Sequence, residues 1–305
     1  MSFSVAQTPD LSGKVALVTG GNAGLGYETV KAIASRGAHT ILAARNPQKG
    51  QQAREALLRT LPNASIEVLD LDLASLASIA ETASAFAARH SQLDILVNNA
   101  GLMAMPESRT VDGFETQFGV NHLGHWALTG RLMPALKRAE RARIVTVTSS
   151  AHHMSFRINF EDPHLRKRYS AWNAYSQSKL ANYYFALGLH RKFQAVRSPM
   201  SSLLAHPGFS QTNLQVETVK QGGGGWAGDL SLRLVNAIGM TAEVGVLPQV
   251  RATLDPGAKS GEFYGPKWLA SGPPVARGYR RPGADRIIAR LWELSERETG
   301  IAIDI

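Results

Sequence analysis

Short apolar segments alternate with amphipathic segments along the first two thirds of the chain. The apolar segments are KVALVT (14–19), HTILAA (39–44), SIEVLDL (65–71), LDILVNN (93–99), ARIVTVTSS (142–150) and SSLLAHP (201–207). The segments with helical spacing lie at 25–36, 47–61, 75–89, 110–138 and 173–194. Strands that alternate with helices form a parallel sheet that is buried on both faces. With right-handed crossovers, this pattern predicts an α/β fold with a doubly wound parallel sheet and helices on both faces.

The pattern changes in the last third of the chain. Segment 207–228 is polar and ends in GGGGW, and its length predicts a lid over an active site, with a surface loop as the alternative. A last strand is predicted at EFYGP (262–266) and a last helix near 284–297, whereas Pro248 predicts a kink or break in its helical surroundings. Because no linker or repeat divides the chain, we expect a single domain over 1–305.

Composition indicates a globular protein in a reducing compartment. Of 305 residues, 44% are hydrophobic and 19% are charged, and no apolar run reaches the length of a membrane span. The N-terminal MSFSVAQTPD lacks the features of a secretory signal. With no cysteine, disulfides and thiolate metal sites are excluded. We therefore expect a cytoplasmic protein without a membrane span.

The formal charge of +9, from 33 basic and 24 acidic residues, raises nucleic acid or another anionic surface as an alternative partner. The densest basic runs are RAERAR (138–143), RKR (166–168) and RGYRR (277–281). None of these runs has the length and the interleaved aromatic residues of a nucleic-acid-binding motif. We therefore interpret them as solvated surface charge and expect no nucleic-acid binding.

The turn TGGNAGLG (19–26) follows the first predicted strand directly and opens the first predicted helix. Glycine allows a tight turn and close approach of the backbone to a ligand, and a helix N-terminus favours an anion. This position therefore predicts binding of a dinucleotide pyrophosphate. The spacing T-G-x-x-x-G-x-G resembles the short-chain dehydrogenase/reductase family, and it differs from the T-G-x-x-G-x-x-G of the related epimerases.

Further motifs of this family follow in the family's order. They are NNAG (98–101), VNHLGHWALT (120–129), VTSSAHH (147–153), YSQSK (175–179) and HPGFSQT (206–212). The resemblance implies a Rossmann-type fold and hydride transfer between a nicotinamide and a carbonyl or alcohol substrate. The catalytic residues that it implies are Asn121, Ser150, Tyr175 and Lys179, with Ser150 preferred over Ser149. The cofactor contacts that it implies are Gly20, Asn22, Gly24, Leu25, Gly26, Arg45, Asp72, Leu73, Asn99, Ala100, Gly101, Tyr175, Lys179, Pro207, Gly208, Phe209 and Thr212.

Tyr-x-x-x-Lys occurs twice, as YETVK (27–31) and as YSQSK (175–179). Residues four apart on a helix share a face, so either pair could transfer protons. We assign catalysis to the second copy because it follows a strand that ends in serines. A nearby ammonium favours a phenolate, so Lys179 and an oxidised nicotinamide are expected to lower the pKa of Tyr175. Within the family's scheme, Asn121 would orient Lys179 through a water and complete a proton relay.

The end of the second predicted strand indicates the cofactor. Enzymes that use NAD place an acidic residue there for the ribose hydroxyls, whereas a basic residue accommodates the 2′-phosphate of NADP. In ILAARNPQKG, Ala44 takes the acidic position and Arg45 follows. Since the planar guanidinium binds phosphate through two parallel hydrogen bonds, we expect NADP(H). Asp72 is expected to contact the adenine, as in the family.

Ser150 and Tyr175 are 25 positions apart, and the segment between them starts with AHH. Both features resemble the retinol-dehydrogenase-like branch, which includes the WW-domain oxidoreductase. The branch implies the chemistry but not retinoid specificity. Methionine at adaptable surfaces suits a bulky apolar ligand. Candidate pocket residues are Met103, Met105, Met154, Phe156, Leu214, Val216 and Trp226, each of which could equally serve ordinary packing. Although His152 and His153 are metal-ligand types, the sequence places no third ligand beside them, and we expect no metal.

A fold does not determine an activity, so a non-catalytic dinucleotide sensor or interaction scaffold remains the alternative function. Sensors tend to lose the tyrosine or the lysine, and this sequence keeps all four catalytic positions. Many members of the family pair through the helices predicted here at 110–138 and 173–194. The resemblance therefore allows a homo-oligomer, unless segment 151–169 covers that surface.

Overall fold

The computed structural model describes residues 3–155, 157–208, 240–268, 270–277 and 283–305. Its strands are β1 (Val15–Thr19), β2 (His39–Ala44), β3 (Ile66–Asp70), β4 (Ile95–Asn98), β5 (Arg143–Val147), β6 (Ser201–Ala205), β7 (Phe263–Pro266) and β8 (Pro274–Arg277). The main helices are α1 (Gly24–Ala34), α2 (Pro47–Thr60), α3 (Leu76–Arg89), α4 (Gly124–Arg138), α5 (Ala171–Ala195), α6 (Ala242–Gly245), α7 (Leu247–Leu254) and α8 (Ala284–Thr299). Most of the predicted lid lies outside the described residues.

Within these residues, eight strands form one sheet in the order β3-β2-β1-β4-β5-β6-β7-β8. All neighbouring pairs are parallel except β7 and β8, which are antiparallel. The strand order reverses between β1 and β4, and ligands of open α/β sheets bind in the crevice outside the carboxyl ends at such a point. The predicted doubly wound α/β fold is confirmed. β8 was not predicted, since its four residues carry no clear apolar pattern.

The central strands are buried on both faces, as parallel strands require. Successive side chains of a strand point to opposite sides of a sheet. In agreement, one apolar cluster contains Leu17, Leu96 and Ile144. The residues that follow them along the strands belong to a second cluster, and they are Val18, Val97 and Val145. The core therefore consists of two layers that hold the carboxyl ends of these strands in place.

The helix predicted over 110–138 begins later, at Thr116. The carboxylate of Glu115 caps this start by accepting hydrogen bonds from the backbone N–H groups of Gln117 (2.9 Å) and Phe118 (2.6 Å). One π-helical turn, Gly119–Leu123, then leads into α4. The predicted break near Pro248 is confirmed, because α6 and α7 are separated at Val246 and the proline lies in the first turn of α7.

Arg143 corrects part of the charge interpretation, because it is not solvated surface charge. Its guanidinium donates to the carbonyl oxygens of Ala252 (3.1 Å), Thr253 (2.9 Å) and Asp255 (3.0 Å) at the end of α7. These bonds satisfy acceptors that a helix C-terminus leaves open. By contrast, the basic run 166–168 is exposed, as predicted.

Among the helices of the described residues, none combines the length and the hydropathy that a membrane span requires.

Candidate active site

The glycine turn between β1 and α1 has the geometry of an anion site. Gly20 and Gly24 adopt left-handed backbone angles, with φ of 65° and 53°. A Cβ at Gly26 would lie 2.1 Å from the carbonyl oxygen of Gly20, so only glycine allows this approach of helix and turn. Ala23, the residue before α1, provides no side-chain cap to the first turn. The backbone N–H groups there suit a pyrophosphate, which fits a dinucleotide.

Thr19 connects this turn to the NNAG segment. Its hydroxyl oxygen accepts hydrogen bonds from the backbone N–H groups of Asn99 and Ala100, both at 2.9 Å. The side-chain amide of Asn99 donates to the carbonyl of Thr19 at 2.7 Å. Gln249 of α7 in turn donates to Oδ1 of Asn99 at 3.1 Å. The predicted cofactor residues Asn99 and Ala100 therefore lie beside the glycine turn, at the point where the strand order reverses.

Asn121 lies in the π-helical turn, a feature that is frequent at functional sites. Its side chain accepts from the backbone N–H of Leu102 (2.7 Å) and donates to the carbonyl of the same residue (2.9 Å). It also donates to the hydroxyl of Ser178 on α5 at 2.8 Å. Asn121 thus joins the loop after β4 to the helix that carries Tyr175 and Lys179.

Tyr175 and Lys179 lie one turn apart on α5, and each is 4% exposed. Nζ of Lys179 lies 5.9 Å from the centroid of the Tyr175 ring. It also lies 3.2 Å from the place that a Cβ on Gly101 would take, so glycine in NNAG leaves room for the ammonium. The hydroxyl of Thr148 donates to the carbonyl of Lys179 at 2.8 Å and holds α5 against the end of β5.

Ser149 is the serine whose side chain interacts with the phenol of Tyr175 and acts to lower its pKa. β5 ends at Val147, and Ser149 continues with extended backbone angles before its side chain accepts from the backbone N–H of Ala151 at 3.2 Å. Ser150, which the sequence preferred, is the first residue of the following 3₁₀ turn. The interaction favours Ser149 as a second candidate, and the catalytic role of either serine stays a prediction.

Burial dominates the electrostatics of this pair. It raises the pKa of Tyr175 to about 12, although the hydrogen bond with Ser149 acts in the opposite direction. It lowers the pKa of Lys179 to about 8. The expected lowering of this pKa by Lys179 together with an oxidised nicotinamide stays a prediction for the protein with bound cofactor, because without it burial gives a net increase. The phenolate loses its solvation in this site, and the ammonium 5.9 Å from the ring centroid does not offset that loss.

His125 is a site residue that the sequence analysis missed. It is fully buried on α4, and its ring nitrogens lie 3.0 Å from the backbone oxygen of Asn121 and 2.9 Å from Oγ1 of Thr19. Because a carbonyl only accepts, Nδ1 carries the proton, and Nε2 accepts from the threonine hydroxyl. Burial lowers the pKa of His125 to about 4, which agrees with this neutral form. His125 thus links the glycine turn to Asn121.

Arg45 lies at the same edge of the sheet as the glycine turn. The backbone N–H of Gly20 donates to the carbonyl of Ala43 at 2.8 Å, and Arg45 follows two residues later. Ala44 is 2% exposed, whereas Arg45 is exposed to solvent. The guanidinium is therefore available to a ligand in the crevice.

Asp72 lies two residues beyond the end of β3. Its carboxylate accepts from the backbone N–H of Ala74 at 2.9 Å, and its own N–H donates to Ser78 at 3.0 Å. The neighbouring Leu73 is buried against Gly124. Both predicted residues shape the loop between β3 and α3.

Some of the remaining predicted residues lie within the described part of the chain, and the others lie outside it. Pro207 and Gly208 follow β6, and Gly208 takes a left-handed φ of 71°. Met105 is buried, and Met154 is 61% exposed. The others lie outside the described residues, and they are Phe156, Phe209, Thr212, Leu214, Val216 and Trp226.

The first Tyr-x-x-x-Lys copy has a different environment. Tyr27 packs against the apolar cluster on one face of the sheet. Lys31 lies 3.7 Å from Glu28 in an ion pair, and its side chain is 40% exposed. This pair shares no contact with the serines after β5, so the two copies are structurally distinct.

Comparison with known proteins gives the family. A family model for short chain dehydrogenase matches residues 14–222. Retinol dehydrogenase 12 of Homo sapiens is 44% identical over 204 residues, which are 67% of this chain and 64% of that protein. This chain therefore spans less than two thirds of that relative. A short-chain dehydrogenase/reductase of Armillaria gallica is 36% identical over 96% of this chain and 93% of that protein.

Solved structures agree in fold. A crystal structure of an uncharacterised protein from Mycobacterium paratuberculosis has a TM-score of 0.81 at 37% identity and covers all of both chains. A short chain dehydrogenase from Shigella flexneri, complexed with NADP, has a TM-score of 0.65 at 20% identity over 85% of this chain and 99% of that chain. At that identity, the second similarity concerns the fold alone. The matched family model and the relatives together establish that the chain belongs to the short-chain dehydrogenase/reductase family, in its retinol-dehydrogenase-like branch.

Proposed function

We propose that the protein transfers a hydride between NADP(H) and a carbonyl or alcohol, with Tyr175 as the proton donor or acceptor. The observation that carries this proposal is the buried pair of Tyr175 and Lys179, one turn apart on α5, with Nζ of Lys179 5.9 Å from the centroid of the Tyr175 ring. The side chain of Ser149 interacts with the same phenol. The pair lies at the carboxyl ends of the strands, where ligands of this fold bind.

Tyr175 moves the proton at the substrate oxygen. A pKa of about 12 keeps the phenol protonated at neutral pH, which suits a donor for carbonyl reduction. Ser149 holds the substrate oxygen by a hydrogen bond next to the phenol. Lys179 provides a positive charge that stabilises a phenolate when the reaction runs toward alcohol oxidation. His125 acts as a positioning residue, because it touches Asn121 and Thr19 and not the reacting atoms.

The cofactor residues of this chain follow from the same arrangement. The first turn of α1 holds the pyrophosphate, and Asn99 and Gly101 line the crevice between it and Lys179. A bound nicotinamide supplies or accepts the hydride. Arg45 holds the 2′-phosphate of NADP. It is exposed to solvent and follows Ala43, whose carbonyl accepts from the backbone N–H of Gly20, by two residues.

The proposed substrate is a bulky apolar aldehyde, ketone or alcohol. Support comes from the 44% identity to a retinol dehydrogenase over 67% of this chain. Because less than two thirds of that relative is covered, the substrate class stays part of the proposal.

A substrate screen tests the proposed function. The purified chain is mixed with NADPH and a series of aldehydes and ketones of increasing apolar chain length, and the loss of NADPH absorbance is followed. We expect turnover that increases with chain length and that is faster with NADPH than with NADH. Cofactor binding without turnover of any compound would instead favour the dinucleotide sensor.

A further inference from the structure

Three side chains of metal-ligand type lie together at the edge of the sheet opposite the candidate active site. His39 is the first residue of β2, Glu67 is the second residue of β3, and His90 follows the last residue of α3. Nε2 of His39 lies 3.2 Å from Oε2 of Glu67, and Nε2 of His90 lies 2.9 Å from the same oxygen. The three candidate ligand atoms all lie within 4.8 Å of one another.

These distances match the coordination of zinc. A tetrahedral Zn²⁺ forms bonds of about 2.0–2.2 Å to imidazole nitrogen and carboxylate oxygen, which places its ligand atoms about 3.3 Å apart. The two measured nitrogen–oxygen distances are 3.2 and 2.9 Å. The two nitrogen–oxygen distances therefore need to change by only a few tenths of an ångström, and the two histidine nitrogens lie within 4.8 Å of each other.

The surroundings orient the ligands as outer-shell groups do in metal sites. Nδ1 of His39 is 2.7 Å from the hydroxyl of Ser65, which leaves Nε2 for the cation. Arg89 binds Oε1 of Glu67, which leaves Oε2. β2 and β3 are adjacent parallel strands, with Thr40 opposite Ile66, so His39 and Glu67 are held on a rigid sheet.

The cluster is accessible from solvent. The side chains of His39, Glu67 and His90 are 30%, 18% and 14% exposed. An open cleft of about 430 Å³ is lined by His39, Ser65 and His90 together with the start of β1. The cleft gives a path for the ion and room for water as a fourth ligand, the arrangement of zinc sites with three protein ligands.

We propose that His39, Glu67 and His90 bind one Zn²⁺ ion that connects β2, β3 and the segment after α3. Two imidazoles and one carboxylate suit zinc better than magnesium or calcium, which prefer oxygen ligands. With the ion bound through Nε2, each imidazole is neutral and carries its proton on Nδ1, which for His39 faces the hydroxyl of Ser65. The site lies about 16 Å along β2 from the crevice, five residues at roughly 3.3 Å each, so the ion stabilises the fold and takes no part in hydride transfer.

Zinc binding by the untagged chain tests this proposal. After treatment with a chelator and dialysis, Zn²⁺ is titrated by calorimetry, and thermal unfolding is compared with and without the ion. Co²⁺ serves as a second probe, since tetrahedral coordination gives it visible absorption. Glu67→Gln keeps the size of the side chain and removes the charge and one acceptor oxygen, and His90→Ala removes a ligand. His190→Ala is the matched control, because His190 is a half-buried histidine that contacts a serine, Ser260, at 2.9 Å elsewhere.

We expect one Zn²⁺ per chain, an increase in Tm on binding, and tetrahedral Co²⁺ absorption. Glu67→Gln and His90→Ala should each lose at least about 10-fold in affinity, whereas His190→Ala should bind as the wild type does. A cooperative thermal unfolding transition of each metal-free variant shows that the variant is folded. If the wild type binds no zinc, or if both cluster variants bind it with unchanged affinity, the three residues form only a hydrogen-bonded cluster and the proposal is wrong.

Discussion

The side chain of Ser149 interacts with the phenol of Tyr175 and acts to lower its pKa. The first residue follows β5 and the second lies on α5, so the contact depends on the packing of the helix against the end of the strand. Thr148 strengthens this packing through its 2.8 Å bond to the carbonyl of Lys179. The relationship makes Ser149 the serine to test in catalysis.

Ser149→Ala should lower kcat by about 10²–10³-fold, the loss that follows removal of one donor to a reacting oxygen. Ser150→Ala is the matched control and should retain near wild-type turnover. Steady-state rates with NADPH and the best carbonyl from the screen measure both. The opposite ranking of the two variants would return the role to Ser150.

Tyr175→Phe should abolish turnover and leave cofactor binding measurable, because the hydroxyl moves the proton and the ring only packs. Tyr27→Phe tests the other copy of the motif and should leave turnover nearly unchanged. Tyr27 lies on α1 and packs against the apolar cluster on one face of the sheet. Turnover and NADPH fluorescence titration are measured for both variants. Loss of activity in a folded Tyr27→Phe protein alone would reverse our assignment.

The two directions of the reaction should depend differently on pH. Reduction requires protonated Tyr175, with a pKa of about 12, and cationic Lys179, with a pKa of about 8. Its kcat/KM should therefore be flat at neutral and mildly acidic pH and decrease as pH rises above about 8. Alcohol oxidation requires the phenolate, so its rate should increase with pH across the neutral range.

Lys179→Arg provides the control for this profile. A guanidinium stays charged at all accessible pH values, so the decrease in reduction above about pH 8 should disappear even if the rate is lower throughout. If the reduction rate instead decreased between pH 6 and 7, the proton donor would be a group that titrates near neutrality and not Tyr175.

Arg45→Ala should weaken NADPH binding by roughly 10- to 150-fold, since a hydrogen bond to a charged group contributes about 1.5–3 kcal/mol. NADH affinity should change little, because NADH has no 2′-phosphate. Lys49→Ala, an exposed basic residue in the first turn of α2, controls for general loss of positive charge. Equal weakening of both cofactors, or a wild type that prefers NADH, would contradict the NADP assignment.

His125→Leu and His122→Leu form a matched pair for the positioning role. Both histidines are fully buried, but His122 binds Ser295 at 2.8 Å, whereas His125 binds Thr19 and Asn121. Each substitution should destabilise the fold by about 1–3 kcal/mol for every buried group left without a partner. Only His125→Leu should also lower kcat. Equal kcat values for the two folded variants would make His125 a purely structural residue.

The sequence by itself determined the fold class and the order of the site motifs. Apolar runs such as KVALVT and helical spacing between them are local properties, and burial on both faces leaves few alternatives to a parallel sheet. The glycine turn at 19–26 was also readable, because a left-handed φ at Gly20 and the close approach at Gly26 each require glycine within a short segment.

Only the tertiary structure brings the side chain of Ser149 to Tyr175, because this contact depends on the residue at which β5 ends and on how α5 packs against it. It also placed His125 between Thr19 and Asn121, which are separated by 102 positions in the sequence, and it gathered His39, Glu67 and His90 from three elements. Such contacts arise when separate elements pack together, and no local pattern encodes them. Propensity and periodicity specify which face of an element is buried, whereas the partner that a buried polar group meets is set by the packing of the whole fold.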